Sequence, residues 1–260
     1  MDAMAVEVSF GLSEQVVIVT GAGRGIGRAT ALAAAEAGAS VAIASRNLGE
    51  LQALADEIKS AGGMCFAQRA DVKDLNSLES LVAAVLKEFG RIDGLVNNAG
   101  DNIMAPAFDY DEAQFDHLVA VNFKSVFFLS RMVAQQLIAQ GSPGSIVNVS
   151  SQAGLVGAPG RAPYSGAKAA VINLTRTFAA EWGQYGIRVN SVAPTFTRTP
   201  LAEAALAKDP LLEPAVVAKI LLGRIAEPEE IAAPIVFLLS SASSMVTGQT
   251  LAVDGGWTAT

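Results

Sequence analysis

The chain has 260 residues, 51% of them hydrophobic, and a formal net charge of −7. That length suits one large α/β unit with a substantial buried core, and an acidic balance without a basic run excludes the clustered Lys and Arg of a nucleic-acid binder. The single cysteine, Cys65, excludes an internal disulfide and fits a reducing compartment, so a cytoplasmic location is expected.

Residues 1–9 carry acids and lack the basic and apolar regions of a signal peptide. The apolar run at residues 231–239 is short and contains Pro234, so no membrane span and no membrane partner are expected. Residues 16–20 form a β-branched run that reads as a buried strand. A helix is expected over 26–37, ending at Gly38, and a second strand over 40–44. From Leu48, apolar residues recur at Leu51, Leu54 and Ile58, predicting a helix that closes at Gly62 and Gly63. A third strand near 65–70 is expected to be buried, with Cys65 as a small apolar filler. The next helix carries Leu75, Leu78, Leu81, Val82 and Val85 on one face.

The alternation continues. Strands are expected at 94–97, 145–149, 187–192 and 250–253, and helices at 111–140, 164–182 and 228–240. Pro228 followed by Glu229 and Glu230 is a good helix start, since proline fits the first turn and acids suit the positive end of the dipole. This rhythm implies an α/β fold: a single doubly wound, Rossmann-type parallel sheet with helices on both faces. Residues 199–222, with Pro200, Pro210 and Pro214, break the rhythm and read as a helical flap. The chain is otherwise one domain over 1–260.

Three clusters carry chemistry. The first is Thr20-Gly21-Ala22-Gly23-Arg24-Gly25-Ile26-Gly27, between the first strand and the first helix. Its glycines let the backbone approach a pyrophosphate, and the helix N-terminus offers N–H groups to the anion. The second is Ser45-Arg46, at the end of the second strand. An acid there would grip ribose hydroxyls and select NAD. Ser45 takes the place of that acid, and Arg46 with Arg24 suits a 2′-phosphate, favouring NADP(H) over NAD(H). Asp71 and Val72 suit contact with adenine. The third is Tyr164 and Lys168, one helical turn apart, with Ser151 at the end of a strand. An ammonium beside the phenol would lower its pKa and tune it for proton transfer.

With Asn97-Asn98-Ala99-Gly100, Asp71 and Asn122 in order, the chain resembles the short-chain dehydrogenase/reductase family from about residue 11 to 256. The resemblance implies a catalytic tetrad of Asn122, Ser151, Tyr164 and Lys168. In it Tyr164 is the acid/base, Lys168 lowers its pKa and binds the nicotinamide ribose, Ser151 polarises the reacting oxygen, and Asn122 supports a water leading to solvent. Asn97 would stabilise the central sheet, while Asn98, Ala99 and Gly100 flank the cofactor. The family's P-G-x-I/V-x-T segment reads here Pro194-Thr195-Phe196-Thr197-Arg198-Thr199. A backbone contact at Thr197 can survive that change, and Pro194 and Thr199 stay among the expected cofactor contacts.

Family topology also places Asp101, Asn102, Gln152, Leu155, Arg161 and Phe196 around the substrate, where Asp101, Asn102, Gln152 and Arg161 are expected to bond a polyhydroxylated or carboxylated substrate, so that a small polar carbonyl, sugar or polyol is expected. Similar chains include sugar and polyol dehydrogenases and 3-oxoacyl-carrier-protein reductases, and the latter activity is an alternative. A dinucleotide-sensing module without chemistry is an alternative from another class. No metal is expected. A homotetramer is implied, with the helix from Asp111, the Tyr164 helix and the Gly255-Gly256-Trp257 end at its interfaces.

Overall fold

The computed structural model describes residues 8–259; the expectation about a leader therefore falls largely outside the described residues. Strands β1 (Val16–Thr20), β2 (Ser40–Ser45), β3 (Met64–Arg69), β4 (Gly94–Asn97), β5 (Gly144–Val149), β6 (Ile187–Pro194) and β7 (Thr250–Val253) form one parallel sheet. Its order is β3-β2-β1-β4-β5-β6-β7. The order reverses between β1 and β4, which opens a crevice at the carboxyl ends of these strands.

Helices α1 (Gly25–Glu36), α2 (Leu48–Ser60) and α9 (Pro228–Leu239) cover one face. Helices α3 (Leu75–Phe89), α5 (Ser125–Gln140) and α6 (Ala162–Trp182) cover the other. The two cores follow the period-2 alternation of the strands. Val17, Val19, Val41 and Ile43 point to the first face, with Leu51, Ile231 and Ile235. Val16, Ile18 and Ala42 point to the second, with Leu81, Leu129 and Val133. Each fully buried leucine contributes about 1.5–3 kcal/mol.

Three sequence expectations need correction here. β3 pairs only with β2, so it is an edge strand and only partly buried: Cys65 is covered, while Met64 is 60% exposed. The helix expected over 111–140 is not continuous. It comprises α4 (Glu112–Val119), a wider π turn at Ala120–Lys124, and α5. The Asp111 side chain caps α4 in a reciprocal box with Gln114. The π turn rotates Asn122 inward, where it is fully buried.

The whole unit Glu112–Gln140 has a mean hydropathy of 1.2 over its most apolar window, so by length and composition it could cross a bilayer. The expectation that no segment has that composition is corrected accordingly. Half of that window is buried inside the fold, as in a core helix.

Between β6 and α9 lie two short helices, α7 (Pro200–Leu206) and α8 (Leu212–Val217). Leu206, Val216, Ile220 and Ile225 form a small separate cluster with Phe196 and Trp257. The segment expected as a flap thus rests on its own apolar contacts above the carboxyl end of β6.

Candidate active site

The glycine turn joins β1 to α1. Gly21 has φ +64°, and a Cβ there would fall 2.9 Å from Ala99 Cα. At Gly27 a Cβ would fall 2.3 Å from the Gly21 carbonyl oxygen. Gly27 does not line the cleft; it lets α1 pack behind the turn. Asn98 holds the turn from the neighbouring strand: its Nδ2 donates to the carbonyls of Thr20 (2.9 Å) and Gly21 (3.2 Å). The Thr20 hydroxyl oxygen accepts from the Asn98 and Ala99 N–H groups, both at 3.1 Å. α1 begins without a side-chain cap and without an acid in its first turn. Its leading N–H groups are left for an anion.

From this turn a cleft of about 820 Å³ runs to Tyr164. Its lining includes Gly21, Arg24, Gly25, Ile26, Ser45, Arg46, Asp71, Val72, Asn98, Ala99, Gly100, Pro194, Thr197 and Thr199. Apart from Gly27, the structure therefore gathers every expected cofactor contact. The Ser45 hydroxyl bonds the backbone of Asn47, and Arg46 is exposed at the rim. Arg69, which the sequence reading missed, stands beside them. β3 pairs in register so that Arg69 lies opposite Ser45, and its Nε donates to the Arg46 carbonyl at 3.2 Å. The signal was present as the last residue of the third strand, but only strand register links it to Ser45. Asp71 Oδ1 accepts from the Lys73 N–H at 3.0 Å. The uncapped helix start and the Cβ-free turn fit a dinucleotide pyrophosphate.

At the far end, α6 and β5 bring Tyr164, Ser151 and Lys168 together. Ser151 and Tyr164 line the same end of the cleft, and the Ser151 hydroxyl pulls the phenol's pKa down. Lys168 Nζ lies 5.7 Å from the Tyr164 ring centroid and donates to the Val149 carbonyl at 2.8 Å. Asn122 faces Lys168 across Gly100, where a Cβ would meet Asn122 Oδ1 at 3.0 Å and Lys168 Nζ at 3.5 Å. Burial pushes the lysine down to about 8.

Burial raises the phenol's pKa; Ser151 and the Arg161 charge pull it down. The Lys168 ammonium is anchored by the Val149 carbonyl beside the ring.

Thr195 and Thr197, the departures from the family pattern, are both buried. The Thr197 hydroxyl donates to the Thr195 carbonyl at 3.1 Å. Thr199 caps α7 by accepting from the Ala202 N–H at 3.2 Å.

Asp101, Asn102, Gln152, Arg161 and Phe196 all line the substrate end, and Leu155 does not. Leu155 follows the short turn after Ser151 and points outward, 40% exposed. Asp101 is not free as expected. Its Oδ1 accepts from the Asn102 N–H at 2.9 Å, and its Oδ2 lies 2.9 Å from His117 Nε2. Met104 and Leu201, not anticipated, complete the wall.

A family model described as enoyl-(acyl carrier protein) reductase matches residues 21–258. An L-xylulose reductase of Bos taurus is 41% identical over 249 residues, covering 96% of this chain and 98% of its own. A 3-oxoacyl-[acyl-carrier-protein] reductase of Thermotoga maritima is 40% identical over 245 residues, covering 94% and 98%. The chain belongs to the short-chain dehydrogenase/reductase family. It is an NAD(P)-dependent oxidoreductase acting on CH–OH groups. Among solved members of that family, a gluconate 5-dehydrogenase from Burkholderia cenocepacia, in complex with NADP and tartrate, superposes with a TM-score of 0.92 at 35% identity. That match covers 96% of this chain and 98% of the other. The short-chain dehydrogenase fold and the cleft at the β1/β4 crossover thus agree with the sequence reading.

Proposed function

We propose that this short-chain dehydrogenase is NADP-dependent, with Tyr164 as its acid/base and a small polar carbonyl, sugar or polyol as its substrate. The observation that carries this reading is the gathering of Ser151, Tyr164 and Lys168 at the end of a cleft that starts at the glycine turn. A nicotinamide bound there supplies the hydride acceptor or donor. The chain's own residues manage the proton. Ser151 Oγ holds the substrate oxygen against the Tyr164 hydroxyl, which takes the proton from an alcohol or gives one to a carbonyl. Lys168 binds the nicotinamide ribose and brings a positive charge to the site. Asn122, buried behind it, keeps a route from Lys168 toward solvent.

The preference for NADP rests on three guanidinium groups, Arg24, Arg46 and Arg69, around the end of β2, with Ser45 where an acid would favour NAD. The two helices over 199–222 act as the substrate flap of a single catalytic domain. An apolar hollow beside α4 and α6, with Phe115 half exposed and Phe123 and Pro163 in its wall, supports a homotetramer. The Thermotoga relative favours β-keto thioester reduction as a second reading.

The deciding experiment is Tyr164→Phe with NADPH binding and turnover measured together. Binding is expected to stay within about threefold while turnover falls by about 10²–10⁴. Unchanged turnover refutes the acid/base role. A protein that binds NADPH but turns over no alcohol or carbonyl in its native form is a sensor and not an enzyme.

A further inference from the structure

We propose that Arg161 is the receptor for a substrate carboxylate, and that the substrate is a polyhydroxy acid. This rests on the oxidoreductase reading and names its substrate class.

Arg161 sits three residues before Tyr164, half-buried in the wall of the cleft. Its guanidinium lies 4.6 Å from the centroid of the Phe196 ring. The hydrogen bond it makes is a weak one, to the Met104 sulfur at 3.7 Å. Among the described residues no carboxylate pairs with it, whereas Arg28, Arg91, Arg198 and Arg224 are all paired with acids. A guanidinium taken out of water needs a counter-charge, and a planar fork of donors matches the two oxygens of a carboxylate. Burial weakens its hold on its proton, and the charges near enough to act on it are the phenols of Tyr164 and Tyr110. The acid is therefore to come from the substrate.

Polar side chains share its cleft: Asn102, Gln152 and Thr195 line it together with Arg161. A hydroxyl both donates and accepts, so it satisfies either orientation of an amide side chain. A carboxylate beside several hydroxyls suits a guanidinium and this polar lining; a plain alkyl ketone does not. The carboxylate is bound and not transformed.

The matched probes are sodium gluconate and sorbitol, then threonate and threitol. Each pair shares a carbon chain and differs by a carboxylate in place of a CH₂OH. Oxidation with NADP⁺ and calorimetric titration of the enzyme–NADP⁺ complex give two readouts. In the native protein the acid is expected to bind at least tenfold more tightly than its polyol. Arg161→Gln should raise KM for the acid at least thirtyfold and leave KM for the polyol within threefold, while any change in kcat from the lost pull on the Tyr164 pKa is common to both substrates. Arg161→Lys, which keeps the charge, should recover most of the loss. Melting temperature and NADPH affinity of both variants establish that they are folded.

Equal binding of acid and polyol, no binding of either, or equal losses on both in Arg161→Gln overturns the proposal. Any of these, with turnover of another alcohol still lost in Tyr164→Phe, leaves the oxidoreductase reading intact. Full turnover in Tyr164→Phe sinks that reading whatever Arg161 does.

Discussion

The Asn122 side chain clamps the main chain of Asp101 from both sides: its Nδ2 donates to the Asp101 carbonyl at 2.8 Å, and its Oδ1 accepts from the Asp101 N–H at 3.2 Å. Nδ2 also donates to the Leu118 carbonyl. The π turn that carries Asn122 is thus tied to the loop after β4, which forms one wall of the cleft. Asn122→Ala leaves two part-buried backbone groups of Asp101 without these partners. The expected cost is about 1–3 kcal/mol of stability and a kcat loss of about tenfold or more. Denaturant unfolding and steady-state kinetics on one preparation check both numbers.

Lys168 makes stability depend on pH. Its folded pKa is depressed to about 8 by burial, below the unfolded value of 10.5. Between those two values the unfolded chain binds more protons, so stability rises with pH. The contribution is a penalty below pH 8 that is relieved as pH climbs; a shift of that size corresponds to about 3 kcal/mol. Melting temperatures of the cofactor-free enzyme from pH 7 to 10 should show this rise relative to Lys168→Met, which should also melt higher at pH 7. Parallel profiles for the two proteins contradict the assignment. Turnover of Lys168→Met should be abolished.

Arg46 and Arg69 are expected to discriminate between cofactors. Each charge-assisted hydrogen bond to a phosphate is worth about 1.5–3 kcal/mol. Arg46→Ala and Arg69→Ala should each weaken NADPH by about 10–100-fold and NADH by no more than a few-fold. Dissociation constants from fluorescence titration measure this, and equal losses on both cofactors count against a 2′-phosphate contact.

The Cys65 thiol should be inert. Burial on β3 pushes it up to about 11, with Lys59 pulling slightly the other way. A thiol with that pKa holds about one part in a thousand as thiolate at pH 8. Mass spectrometry after iodoacetamide at pH 8 should find the native protein unmodified and the urea-unfolded protein alkylated. Rapid alkylation of the native protein would contradict burial of the strand.

The sequence by itself determined the order of strands and helices, because apolar periodicity and the punctuation of glycine and proline are local properties. It also located Tyr164, Lys168, Ser151 and Asn122, since their spacing along the chain carries the family pattern. Local pattern could not show the π turn, because five residues of π-helix within an apolar helical run leave the same composition. Nor could it link Arg69 to Ser45, which meet only through parallel pairing across β2 and β3. The orientation of Lys168 toward Val149, the capture of Asp101 by His117, and the isolation of Arg161 from any acid were decided by packing. Side chains far apart in sequence compete there for the same partners, and only the folded arrangement fixes which of them remain free.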